Sequence, residues 1–254
     1  MDEAQIAGSA VEIAAASGAI DAQFFHPDAP GIWPGVVLLT DIRGSRPAFE
    51  DMGRHLAAHG YAVLLPNLYY RGGRAPVVDP SLPVSDEGAR ARRGALRAAL
   101  TPEAWRADLA ALLGFLDGNE RVHKPYGIVG YCMSGSFALR GAADFPDQIA
   151  AAASFHGGGL ASDAADSPHL RAGEIKARLY FGHAENDGSM PAEAIARLDD
   201  ALREAGVSAT NETYAGARHG FAVADGQAYN TEAASRHWRN LLQLFDGALA
   251  PAKH

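Results

Sequence analysis

Three residues of types that together can move a proton and attack a carbonyl occur in the chain order Cys132, Asp187, His219. Cys132 is the sole cysteine among 254 residues and stands in GIVGYCMSGSF, behind an apolar run and between small residues. A thiol nucleophile needs a base, and the base needs a carboxylate to orient it. Asp187 lies in YFGHAENDGSMP, just beyond an apolar run, and His219 lies in YAGARHGFAV on a glycine-flanked stretch after NETY. Each residue alone has a plainer reading: a buried structural cysteine, a turn or helix-cap aspartate, a surface-loop histidine. Their occurrence together favours the relay. His156, in SFHGG, is a candidate pocket residue or a structural hydrogen-bonding histidine. Neither His156 nor His183 forms an H-x-x-H or H-E-x-x-H spacing, so zinc-assisted hydrolysis has little support and no metal site is expected.

Such residues must be carried on strand ends. VVLLT (36–40), YAVLLPN (61–67), GIVGY (127–131), AAASF (151–155) and ARLYFG (177–182) are short apolar runs without polar alternation, the pattern of strands buried on both faces of a parallel sheet. Between them lie helix-period segments. Trp105, Leu109, Leu112, Leu113 and Leu116 share a face, as do Ile195, Leu198 and Leu202, and Trp238, Leu241, Leu242 and Phe245. The opening VEIAAASGAIDAQFFHP alternates around Ser17-Gly18 and reads as a β-hairpin. The expected fold is α/β, one domain over residues 1–254 with a mostly parallel sheet, helices on both faces and an N-terminal antiparallel hairpin. Residues 69–101 mix Gly, Pro and Arg and read as a lid, a substrate loop or a plain exposed connection.

Only a sharp turn fits between GIVGY and the helix expected from Met133. Cys132 sits at its apex, the geometry of a nucleophile elbow of the G-x-S-x-G kind, here Gly130-Tyr131-Cys132-Met133-Ser134. The free N–H groups and positive dipole end of that helix favour a thiolate and can hold an oxyanion.

The formal net charge of −8 argues against nucleic acid or an anionic membrane as partner. The local exception is the cluster Arg90, Arg92, Arg93 and Arg97, read as a solvated face or as an anchor for an anionic substrate. One cysteine excludes an intrachain disulfide. The start, MDEAQ, is acidic where a signal peptide is basic, and no run has transmembrane length, so a cytoplasmic location is expected.

With these residues in place, the chain resembles the dienelactone hydrolase (carboxymethylenebutenolidase) family of α/β-hydrolases, from about Val36 to the C-terminal helix. GYCMSG carries the resemblance most specifically, with DGSMP, RHGF and HGYAVLLPNLYYR beside it. The resemblance implies a Cys132–His219–Asp187 triad cleaving an ester or lactone of a small molecule without a cofactor. It further implies oxyanion donors at the backbone of Ile42 and Met133, and a carboxylate facing the resting thiol at Asp41, where the family has Glu. The family's substrate-gripping arginine four residues beyond the histidine is replaced by Val223. A second arginine is sought among Arg71, Arg74, Arg90, Arg92 and Arg93, with Arg71 and Arg92, beside His156, as candidate substrate contacts. Loss of one charge-assisted contact would weaken selection of an anionic dienelactone by about one to two orders of magnitude. The rival readings are a carboxylesterase or lactonase for uncharged substrates and a non-catalytic ligand-binding or redox-sensing protein.

Overall fold

In the computed structural model, residues 5–249 are described; all but the last residue of MDEAQ lie outside them. The chain forms two compact units, one ending at Lys124 and one starting at Pro125.

In the first unit the hairpin forms as expected, from β1 (Ile6–Ala15) and β2 (Gly18–Pro27). Its turn is Ala16-Ser17, one residue earlier than the Ser17-Gly18 reading, because Gly18 pairs with Ala15 and takes up φ +126° at the start of β2. β3 (Trp33–Leu39) and β4 (Ala62–Pro66) run parallel, with Gly35 opposite Ala62, and β2 joins the other edge of β4 antiparallel. The unit's strand order is therefore β1-β2-β4-β3. Val36 through Leu39 are wholly buried, which is why that run lacks polar alternation.

Helix α1 (Pro47–Ala58) begins with a proline, whose missing N–H costs nothing in a first turn, and buries Phe49, Met52 and Leu56. Helix α3 (Pro102–Asp117) is capped by Thr101, whose side chain accepts the Ala104 N–H at 3.2 Å. The face expected for it, Trp105, Leu109, Leu112, Leu113 and Leu116, is the buried one.

Residues 69–101 are folded rather than a bare connection. They contain a 3₁₀ turn, Tyr70–Gly72, and helix α2 (Glu87–Ala98), whose cap Asp86 accepts the Ala89 N–H at 2.7 Å. The arginine-rich helix is not uniformly solvated. Arg93 is buried and donates to the Val84 carbonyl at 2.8 Å.

In the second unit all pairing is parallel, in the order β5 (Val122–Tyr131), β6 (Ile149–Phe155), β7 (Arg178–Asn186), β8 (Ala209–Arg218). Helix α4 (Gly135–Asp144) lies between β5 and β6 in the chain, α5 (Ala192–Glu204) between β7 and β8, and α6 (Thr231–Leu249) ends the described chain. Parallel neighbours need such crossovers, so the α/β alternation read from the sequence follows directly. The buried stripe of α6 runs through Ala234, His237, Leu241, Leu244 and Phe245: Leu241 and Phe245 of the expected face are buried, while Trp238 and Leu242 are only half-buried. A buried histidine takes the place assigned to tryptophan because its ring nitrogen Nε2 meets the Tyr131 hydroxyl at 2.7 Å.

Candidate active site

The site is built at the carboxyl ends of β5, β7 and β8. β5 ends at Tyr131, and Cys132, Met133 and Ser134 form a single 3₁₀ turn that leads into α4. Cys132 has φ +57°, a left-handed conformation that a side chain seldom adopts and that marks stored strain at this apex. Two glycines make the turn possible by close approach. A Cβ on Gly130 would sit 2.1 Å from the Ser134 carbonyl oxygen, and one on Gly135 would sit 2.2 Å from Ser154 Oγ.

Ser134 itself fastens the turn. Its wholly buried hydroxyl accepts the Tyr131 N–H at 2.8 Å and donates to the Tyr131 carbonyl at 3.0 Å. Ser134→Ala removes both bonds, and an expected loss of about 1–2 kcal/mol follows. Urea denaturation checks this, with the midpoint falling at an unchanged slope.

Register brings the other two residues together. β7 and β8 pair from Leu179 opposite Ala209, and a register shift between Ala184 and Asn186 sets Asn186 opposite Arg218, so Asp187 and His219 are the first residues beyond each strand. His219 Nδ1 lies 2.7 Å from Asp187 Oδ2, and because a carboxylate only accepts, Nδ1 carries the proton. The Cys132 side chain lies near enough to His219 to favour its charged form. Cys132 is half-buried, the Asp187 carboxyl is only 3% exposed, and the His219 side chain is 35% exposed.

The electrostatics follow from these contacts. Burial by itself disfavours a charged imidazole, but the hydrogen bonds and charges of Asp187 and Cys132 outweigh it and raise His219 to about 10. Burial pushes the Asp187 carboxyl up, yet the bonds from His219 and Ser189 leave it below its ordinary value.

His156 also belongs to this cluster. It is 1% exposed, has φ +38°, and its ring stands edge-on to His219 at 5.3 Å and to Phe221 at 5.2 Å. Burial, then the neighbouring His219 and His237, holds it far below the usual histidine range and therefore neutral. His183 is a structural cross-strand residue, paired through Nε2 with Asn211 Oδ1 at 2.5 Å. Among the described residues no group of three or more His, Cys, Asp or Glu side chains could hold a metal ion.

The remaining sequence candidates lie in the first unit, each with local partners. The Asp41 carboxylate takes two bonds from buried Arg46, at 2.7 and 2.8 Å, and one from the Arg43 N–H at 2.8 Å. The Ile42 carbonyl accepts the Tyr69 hydroxyl at 2.9 Å. Arg71 grips Asp108 through both terminal nitrogens at 2.6 and 2.9 Å, and the Tyr70 hydroxyl donates to the same carboxylate. Arg92 donates to the Gly72 carbonyl at 2.9 Å. In the second unit, Val223 is buried.

Ser189, not among the residues expected from the sequence, touches both Asp187 and His219. The signal was present in DGS, where a serine two residues after an aspartate favours a side-chain turn. His237 was equally unexpected, since no local pattern distinguishes a buried histidine from a solvent-facing one.

A parallel sheet with a strained strand-to-helix turn at Cys132, and with Asp187 and His219 just beyond later strands, has the α/β-hydrolase fold. The model of the dienelactone hydrolase family matches residues 20–249. A Synechocystis sp. protein provisionally named carboxymethylenebutenolidase is 30% identical over 229 residues, covering 88% of this chain and 90% of its own. The carboxymethylenebutenolidase of Rhodococcus opacus is 28% identical over 214 residues, 83% of this chain and 80% of that one. A solved structure from Klebsiella pneumoniae, provisionally a dienelactone hydrolase, superposes with a TM-score of 0.81 at 25% identity over 95% of this chain and 98% of that one. The chain belongs to the dienelactone hydrolase family, as the motifs implied, and is a hydrolase of lactone or ester bonds. Among the described residues no helix is long and apolar enough to cross a membrane.

Proposed function

We propose that the chain, working as a single α/β-hydrolase domain, cleaves an activated lactone or ester of a small molecule through a Cys132–His219–Asp187 triad, with dienelactones as the leading substrate class. The observation that carries this reading is one imidazole bonded to Asp187 at 2.7 Å through Nδ1, with Cys132 near enough to favour its charged form. His219, raised to about 10, draws the proton of the Cys132 thiol and so forms the thiolate–imidazolium pair that reacts.

The thiolate sulfur attacks the carbonyl carbon and forms a C–S bond, and the electron pair of the C=O moves onto oxygen. The backbone N–H of Met133, at the start of the turn, is one donor to that oxyanion. Ile42 as the second donor and Asp41 as the carboxylate attending the thiol rest on the family resemblance. Collapse breaks the C–O bond to the leaving oxygen, which takes the proton from His219. In a lactone that oxygen stays tethered to the thioester. Neutral His219 then removes a proton from water, hydroxide displaces sulfur, and thiolate and imidazolium are restored. Every proton is returned within the cycle, so no cofactor enters it. His156, neutral and edge-on to His219, packs against the imidazole. A cytoplasmic location is part of the same reading.

A second reading keeps the triad and changes the substrate to an uncharged ester or lactone. It is favoured by the apolar Val223 and by Arg71, whose charge already answers Asp108. Turnover of a carboxylate-bearing dienelactone beside its neutral analogue and an aryl acetate separates the two. Preference for the anionic lactone is expected, and it should fall at least tenfold in Arg92→Ala if that side chain grips the carboxylate. Equal turnover of charged and neutral substrates would move the assignment to the second reading.

A further inference from the structure

Resting on the triad reading above, we propose that Ser189 is a positioning residue that sets the orientation and charge of Asp187 against His219. Its hydroxyl donates to Asp187 Oδ1 at 2.6 Å, and its backbone N–H donates to the same oxygen at 2.9 Å. Two donors on Oδ1 fix the rotation of the carboxyl group and leave Oδ2 aimed at His219 Nδ1 at 2.7 Å. The hydroxyl oxygen also lies 3.3 Å from Nδ1, close enough to share the Nδ1–H as its weaker acceptor.

The placement of this serine is constrained from both sides. Met190, which follows it, is 2% exposed and donates its N–H to the Asp187 carbonyl, closing the turn. Gly158 packs beside it so tightly that an added Cβ would lie 3.2 Å from both Ser189 Cβ and Oγ. Gly158 in turn donates its N–H to the Cys132 carbonyl at 3.0 Å. Ser189 is itself solvent-exposed, yet the carboxyl it covers is almost wholly buried. An exposed side chain spending its hydroxyl on a buried anion, rather than on water, is shielding that anion.

The 2.6 Å bond to Oδ1 outweighs the weaker 3.3 Å contact with Nδ1, whose loss would act the opposite way, so the carboxylate sets the sign. A donor on Oδ1 draws charge from the carboxylate and tempers its hold on the imidazolium. Without it, Asp187 becomes more basic, and His219 keeps its proton to higher pH. A role limited to holding the loop would lower stability or rate without moving that titration.

The test compares wild type, Ser189→Ala, Ser189→Thr and Cys132→Ala on an aryl acetate across pH 5–11, with NMR titration of labelled histidines beside it. Ser189→Ala is expected to lose about threefold to tenfold in kcat/KM at neutral pH and to shift the His219 titration upward by about half a pH unit, while Ser189→Thr restores both. An unshifted His219 titration in Ser189→Ala overturns the proposal, even where the rate falls. Full activity in Cys132→Ala would instead remove the triad reading on which it stands.

Discussion

Cys132→Ala is expected to reduce hydrolysis of any substrate the wild type turns over by on the order of 10⁴-fold or more, the loss typical when a nucleophile is deleted from a relay whose members act as a unit. What remains would come from binding and oxyanion donors alone. The variant should stay folded, because alanine keeps the Cβ and so neither relieves nor adds to the strain of φ +57°. Cys132→Gly separates function from strain. It is equally inactive, but glycine adopts positive φ freely, and a gain of about 1 kcal/mol over the alanine variant is expected by urea denaturation. Mass spectrometry after rapid quenching should find an acyl group on wild-type Cys132 and none on either variant. An active Cys132→Ala would end the nucleophile assignment.

Asp187→Asn should be nearly as damaging, at roughly 10³–10⁴-fold in kcat, since an amide can present its N–H to Nδ1 and hold the imidazole in the wrong tautomer. The pH dependence gives a sharper test. The folded value of His219 is about 10, above the ordinary 6.5 of an unfolded histidine. A group raised in this way stabilises the fold fully below about pH 6.5, and that contribution disappears as pH rises through about 10. Wild type should therefore lose stability on this alkaline side, while Asp187→Asn, with its partner charge gone, should show a shallower decline there. The alkaline limb of kcat/KM should also fall to lower pH in Asp187→Asn, because burial is then opposed only by Cys132. An unmoved limb would mean that another group governs it.

Much of this site can be read from residue order because each member sits where a strand must stop. GIVGY followed by small residues leaves no room for anything but a turn at Cys132, and the apolar runs before Asp187 and NETY before His219 mark the other two strand ends. Pairing preferences then do the rest, since parallel neighbours align their carboxyl ends. What the sequence did not disclose depends on contacts distant in the chain. The Arg46–Asp41 bond could be guessed from spacing but not its burial, and Arg71 gives no sign of its partner Asp108, 37 residues later. In α6, Leu241 and Phe245 are buried as their spacing implies, but His237 rather than Trp238 turns inward, because tryptophan outranks histidine in hydrophobicity and only the distant Tyr131 hydroxyl reverses that preference. The helix within residues 69–101 was obscured by arginines and glycine on a helix whose apolar stripe is thin.

The meeting of Asp187 and His219 depends on the β7–β8 pairing, including its register shift between Ala184 and Asn186, over strands separated by α5. A slip of one residue would turn alternate side chains to the opposite face and part the two. Refolding enzyme cannot regain activity at hydrophobic collapse or on helix formation, both of which tolerate such slips. Catalytic competence must arrive late, with the slow non-local pairing of the parallel strands, so turnover during refolding works as a clock for strand alignment that spectroscopic helix signals cannot provide.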